Sequence, residues 1–159
     1  MTDNTMEPQL KDIPAQRMAT MEHKGAYGEI GEVYRELAAW IREHGATVSG
    51  KGRTYFLDAP REGIPEAARY MVCIPIEGDV RSDDHVKVQN LPAVKVYAYT
   101  HKGPYSEIPA RYSELMAWAT IQQLQPSGPP FEIYHKAPKA DGSVDPSEWV
   151  TEICLPIEP

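Results

Sequence analysis

The segment WVTEICLPI (149–157) sets one acidic residue, Glu152, in the middle of an otherwise apolar stretch. Glutamate is a poor strand former, and a buried unpaired carboxylate is costly. One reading of Glu152 is structural: an edge-strand glutamate pointing at water, or one paired with a lysine or arginine. The other is chemical. A carboxylate at the bottom of an aromatic-walled cleft attracts a cationic ligand, or acts as a general base if burial raises its pKa. Aromatic neighbours would add stacking and cation–π attraction, about 0.5–2 kcal/mol for each contact. Strand alternation nominates Phe56 in GRTYFLDAP and Tyr134 in FEIYHKAP as those neighbours, with Tyr97 and Tyr99 in VKVYAYTH as further candidates.

Other chemistry finds little support. Cys73 and Cys154 lack a C-x-x-C spacing, and the five histidines (His23, His44, His85, His101, His135) form no H-x-x-x-H or Cys/His cluster. No metal or other cofactor is expected, and buried free thiols are the default. Cys154 shares the strand face of Glu152, but Cys73, its counterpart, has no acid beside it, which argues for packing. No Ser-His-Asp arrangement, phosphate loop or dinucleotide fingerprint is visible.

These residues sit in a chain that repeats itself. HKGAYGEIGEVYRELAAW (23–40) returns 78 positions later as HKGPYSEIPARYSELMAW (101–118). Residues 13–60 and 91–138 share 17 identities in 48 positions, and both copies close alike, MVCIPI (71–76) and EICLPI (152–157), after a three-residue insertion in the second. The pattern reads as a tandem duplication of two β-α-β-β modules. Repeat one runs over about 10–76, a charged connector over 77–85 and repeat two over about 86–158, within a single domain (10–159) that follows a flexible N-terminal segment (1–9).

RMATMEH and VKVYAYTH alternate as strands and stop at Lys-Gly, where a glycine permits a sharp turn. Ile30, Val33, Tyr34, Leu37 and Ile41 recur at helical spacing, as do Ile108, Tyr112, Leu115, Met116 and Ala119, with Pro109 in a first turn where its missing N–H costs little. Val72, Ile74 and Ile76, with Ile153, Leu155 and Ile157, form an apolar set expected beneath the helices. Met71, Cys73 and Pro75, with Glu152, Cys154 and Pro156, take the opposite face. Phe56 and Tyr134 are expected on that opposite face too, while Tyr27, Tyr34, Tyr105, Tyr112, Trp40 and Trp118 are expected in the core. Met71 occupies the place of Glu152 in repeat one, and this exchange marks Glu152 out.

Composition narrows the partners. A net charge of −7 without a basic cluster disfavours direct nucleic-acid binding. No apolar run approaches the ~20 residues that span a bilayer, and the start lacks a signal-peptide pattern. A cytoplasmic protein that does not engage membranes is expected.

The doubled H-K-G-x-Y…Y-x-E-L-x-x-W pattern, the Ala-Pro after each middle strand and the closing E-I-C-L-P-I resemble the gyrase-inhibitor-like family, also known as the AraC-type effector-binding or SOUL-like domain. The resemblance covers roughly residues 10–158, leaving no length for a helix-turn-helix. It implies an α+β fold in which the two modules form a shared curved antiparallel sheet, with two main helices and a central groove. It further implies binding of lipophilic, often cationic aromatic compounds there. A last-strand glutamate at the base of the groove corresponds to Glu152, and lining aromatics to Phe56, Tyr97, Tyr99 and Tyr134, with Met71 opposite.

Three functions follow from the resemblance. The first is a stand-alone binder that sequesters or senses such compounds. The second is a hydrolase of cyclopropane-bearing electrophiles acting through Glu152 and Tyr134. The third is a protein partner of gyrase or of a separate regulator.

Overall fold

The computed structural model describes residues 7–58, 68–136 and 144–158. The two Ala-Pro pairs, 59–60 and 137–138, lie outside the described residues, as does the side chain of Tyr27. Nine strands and two long helices are described, in an antiparallel α+β arrangement. The strands are β1 (Gln9–Ile13), β2 (Gln16–Lys24), β3 (Thr47–Val48), β4 (Arg53–Phe56), β5 (Arg69–Glu77), β6 (Lys87–Leu91), β7 (Val94–Lys102), β8 (Phe131–Lys136) and β9 (Val150–Pro156). The helices are α1 (Ile30–Glu43) and α2 (Ile108–Ile121), each entered through a single 3-10 turn.

The chain divides into two compact units, Pro14–Ala93 and Met1–Ile13 with Val94–Pro159. In the Pro14–Ala93 unit, β2 pairs with both β5 and β6, and β5 also pairs with β4 and the short β3, all antiparallel. In the Val94–Pro159 unit, β7 pairs with β1 and β9, and β9 with β8. β1 and β6 are themselves 78 positions apart, as are β2 and β7, and α1 and α2. Each leading strand therefore joins the unit that holds the other copy's helix.

One core lies under each helix. Val33, Leu37, Trp40 and Ile41 of α1 pack on Tyr70, Val72, Ile74 and Ile76 of β5 with Phe56 of β4. Ile108, Leu115 and Ala119 of α2 pack on Ile153, Leu155 and Ile157 with Tyr97 and Tyr99 of β7. The apolar sets read from the last strands thus do lie beneath the helices. Met116, expected on the inner stripe of α2, is 45% exposed, and Trp118 is 38% exposed.

The second Lys-Gly turn is built as its sequence requires. Gly103 sits at φ +133°, a conformation that side chains rarely adopt, and its N–H donates to the carbonyl of Trp149. His101, 1% exposed, holds the second turn through its ring Nε2, 3.2 Å from the carbonyl of Pro104.

Candidate functional site

Two buried carboxylates occupy opposite faces of the sheet in the Val94–Pro159 unit. Glu152 on β9 lies between Thr100 of β7 and Ile133 of β8 in the register, on the face away from α2. It is 3% exposed, and both of its oxygens have partners. Its Oε1 is 2.8 Å from His135 Nε2, and its Oε2 accepts from Lys11 Nζ at 2.5 Å. Lys11 reaches it diagonally from the edge strand β1, in the row of Val96 and Pro156. His135 falls at a break in the β8–β9 register, and a bulge of that kind re-aims a side chain. The bond to His135, with Lys11 in support, holds the Glu152 carboxyl down at about 2 against the opposing effect of burial. Glu152 is thus a firmly ionised, paired carboxylate. The condition for a general base, a pKa raised by burial, is not met.

Glu132 on β8 has the opposite character. It pairs in register with Ile153, which puts it on the face beneath α2, and it is 6% exposed. The hydroxyl of Tyr134 donates to its Oε1 at 3.0 Å, and the hydroxyl of Tyr112 on α2 donates to its Oε2 at 3.1 Å. No lysine, arginine or histidine forms an ion pair with it among the described residues. Burial therefore dominates and pushes its carboxyl up to about 7, the two tyrosine hydroxyls only partly opposing the rise.

Around it stand four aromatic rings, all half-buried: Tyr105, Tyr112, Tyr134 and Trp149. The Tyr105 ring is 6.0 Å from that of Tyr134 and 4.7 Å from that of Trp149, both tilted. Burial, and next the charge of Glu132, pushes the Tyr105 hydroxyl up to about 12. Trp149 Nε1 and the fully buried Thr151 Oγ1 have no hydrogen-bond partner among the described residues. The result is a buried carboxyl at the base of an aromatic rim, with donors left over.

The residues expected to line one site are therefore divided. Tyr134, Tyr97 and Tyr99 belong to the face beneath α2, and Phe56 to the face beneath α1, so the expected placement of Phe56 and Tyr134 away from the helices is corrected. The register explains it: Tyr134 pairs with Thr151 and Phe56 with Tyr70, both on the helix side of their strands. Met71, facing Tyr55, lies on the far side of β5 in the Pro14–Ala93 unit. Tyr134 and Glu152 do not form a pair, because alternation sends them to opposite faces.

Sequence reasoning passed over Glu132, although a signal was present. It is a second acid inside a strand, it replaces Thr54 of the first copy, and it stands two residues before Tyr134. Tyr105 and Tyr112, read as core residues, do pack against the core beneath α2, and they also stand at the rim of Glu132.

The antiparallel α+β scaffold thus sets a buried, aromatic-rimmed carboxyl beneath a helix. The chain belongs to the GyrI-like family, its sequence matching the GyrI-like small molecule binding domain over residues 6–158. None of the curated proteins compared with it matches significantly in sequence.

Among solved structures, the C-terminal domain of EcmrR superposes with a TM-score of 0.84 at 20% identity, covering 96% of this chain and 97% of that domain. In the EcmrR–DNA complex the same fit spans 57% of the EcmrR chain, so this chain corresponds to little more than half of that protein. A hydrolase from Listeria innocua gives 0.67 at 14% identity, covering 96% and 92% of the two chains. SAV2435 bound to tetraphenylphosphonium gives 0.61 at 15%, covering 96% and 94%. At these identities the structural likeness speaks for the fold.

Proposed function

We propose that this protein binds small lipophilic organic cations carrying aromatic groups, at the Glu132 carboxylate beneath α2, and so sequesters or senses them. The observation that carries the reading is a buried carboxylate whose hydrogen bonds come from tyrosine hydroxyls, within a rim of half-buried aromatic rings. A diffuse organic cation supplies the missing positive charge without a large dehydration cost, and each ring face adds roughly 0.5–2 kcal/mol. Tetraphenylphosphonium, bound by the structurally similar SAV2435, has this chemistry. The role is read as that of a cytoplasmic binder, and the matched spacing of β2, α1, β7 and α2 as the product of a tandem duplication.

Glu152 serves this reading as a structural tie. Lys11 and His135 already hold both of its oxygens, so a ligand cation there would have to displace both.

Calorimetric titration with tetraphenylphosphonium tests the proposal. Wild type and Glu152→Gln are expected to bind alike, while Glu132→Gln loses at least tenfold in affinity, about 1.4 kcal/mol. Loss in Glu152→Gln with retention in Glu132→Gln would move the site to the other face. An absence of binding across a panel of aromatic cations would overturn the function. The carboxyl of Glu132 beside the Tyr134 hydroxyl also suits proton transfer near neutrality. Mass spectra of the incubated panel therefore belong to the same experiment, and a product heavier by one water, formed repeatedly by wild type, would establish a hydrolase.

A further inference from the structure

The helices carry tryptophans 78 positions apart, and the two are treated differently. On α1, Trp40 is 9% exposed, its indole Nε1–H donates to Asp83 Oδ2 at 2.7 Å, and its ring stacks on His44 at 4.0 Å. Asp83 belongs to the connector between β5 and β6, whose Val80 and Val86 are buried in the same cluster as Trp40. The connector is anchored by Arg17, which donates to the carbonyls of Gly78 (2.6 Å) and Val80 (3.1 Å). Asp83 Oδ1 accepts the backbone N–H groups of His85 and Val86, at 2.8 Å each, and this tight turn leaves Oδ2 for the indole.

The second copy has the donors of this arrangement in the open. Trp118 stands at the position of Trp40 and Lys95 at that of Arg17, and both are exposed. Beside Trp118, Met116 is 45% and Ile121 70% exposed, where α1 has Ala38 and Glu43. An open depression of about 590 Å³ adjoins them, lined by Met116, Ala119, Thr120, Leu124 and Pro126 among others. From Leu115 to Phe131 there is no charged residue, in a chain that is 25% charged. Large apolar side chains left exposed along one helix mark an interaction surface, and tryptophan and methionine are enriched at such surfaces. Thr120, Gln123 and Gln125 add neutral polar groups to the depression, while the Trp118 indole N–H and Lys95 offer donors only. Charge complementarity therefore selects an acidic occupant.

We propose that the Trp118 face of α2 docks a partner protein through a segment built like residues 78–86. That segment is a tight turn with branched apolar side chains on either side of a carboxylate that accepts from the Trp118 indole, while its carbonyls meet Lys95. The proposal does not depend on the cation site.

The test uses the full chain labelled with ¹⁵N and a cyclised peptide, GDVRSDDHVKV, carrying the sequence of residues 78–88. The Trp118 indole signal, assigned with Trp118→Phe, is expected to move saturably while those of Trp40 and Trp149 stay. A peptide with Asp83→Asn is expected to bind roughly tenfold more weakly, since the acceptor is what the indole selects. No movement of the Trp118 signal at millimolar peptide, or equal binding of the Asn peptide, would overturn the proposal. So would a Trp118 signal that shifts with the protein's own concentration, which would make a second copy the occupant.

Discussion

Glu132 and Glu152 show how the surroundings of a residue decide what a carboxylate is for. They are almost equally buried, yet burial raises one to about 7 while His135 and Lys11 hold the other at about 2. The consequences for stability have opposite signs. Glu132 binds its proton more tightly folded than unfolded, so its contribution is fully present below about pH 4.5 and is lost as pH rises through about 7. Glu152 holds its proton less tightly folded, so its contribution is present above about pH 4.5 and is lost as pH falls towards about 2. Melting curves across pH should separate them. From pH 5 to pH 8 the wild type is expected to lose stability relative to Glu132→Gln, by an amount on the order of 3 kcal/mol. From pH 5 to pH 2.5 it is expected to lose stability relative to Glu152→Gln. Parallel curves in either window would contradict the assigned environment of that residue.

At the scale of elements, turns and alternation were legible in the sequence, and the choice of face was legible only in part. The Lys-Gly turn is the clearest success: at φ +133°, an added Cβ on Gly103 would be strained and would approach the Glu107 carboxylate within 2.8 Å. Gly103→Ala is accordingly expected to destabilise the fold by about 1–3 kcal/mol, read as a lower urea midpoint. In β5 and β9 the inner face could be chosen because valine, isoleucine and leucine recur on it. In β8 the two sets are Phe131, Ile133 and His135 against Glu132, Tyr134 and Lys136, and neither composition shows which one meets a helix. The register with β9 decides it, and that pairing joins strands that do not adjoin in the chain, beyond any local pattern. The partnering of β1 with β7, and of β6 with β2, was hidden for the same reason. Lys11 was therefore not legible as a partner of Glu152, although a lysine or arginine partner was one of the readings open.

For the whole molecule, protonation and ligand binding at Glu132 are one linked equilibrium. A cation prefers the ionised carboxylate, and the empty site holds a proton up to about pH 7. Binding must therefore expel that proton at lower pH. The affinity for tetraphenylphosphonium is expected to rise by up to about tenfold per pH unit below 7 and to level off above it. In calorimetry at pH 6, the apparent enthalpy should vary with the ionisation enthalpy of the buffer in the direction of proton release. Glu132→Gln should abolish both effects. The net charge of −7 at pH 7 draws cations to the molecule, but apart from one charge that attraction is common to wild type and Glu132→Gln. A carboxyl held at about 2, as Glu152 is, stays ionised throughout and has no proton to release. A step in affinity near pH 7 that disappears in Glu132→Gln therefore assigns the cation to the face beneath α2, and a wild-type profile without it excludes Glu132 as the counter-charge.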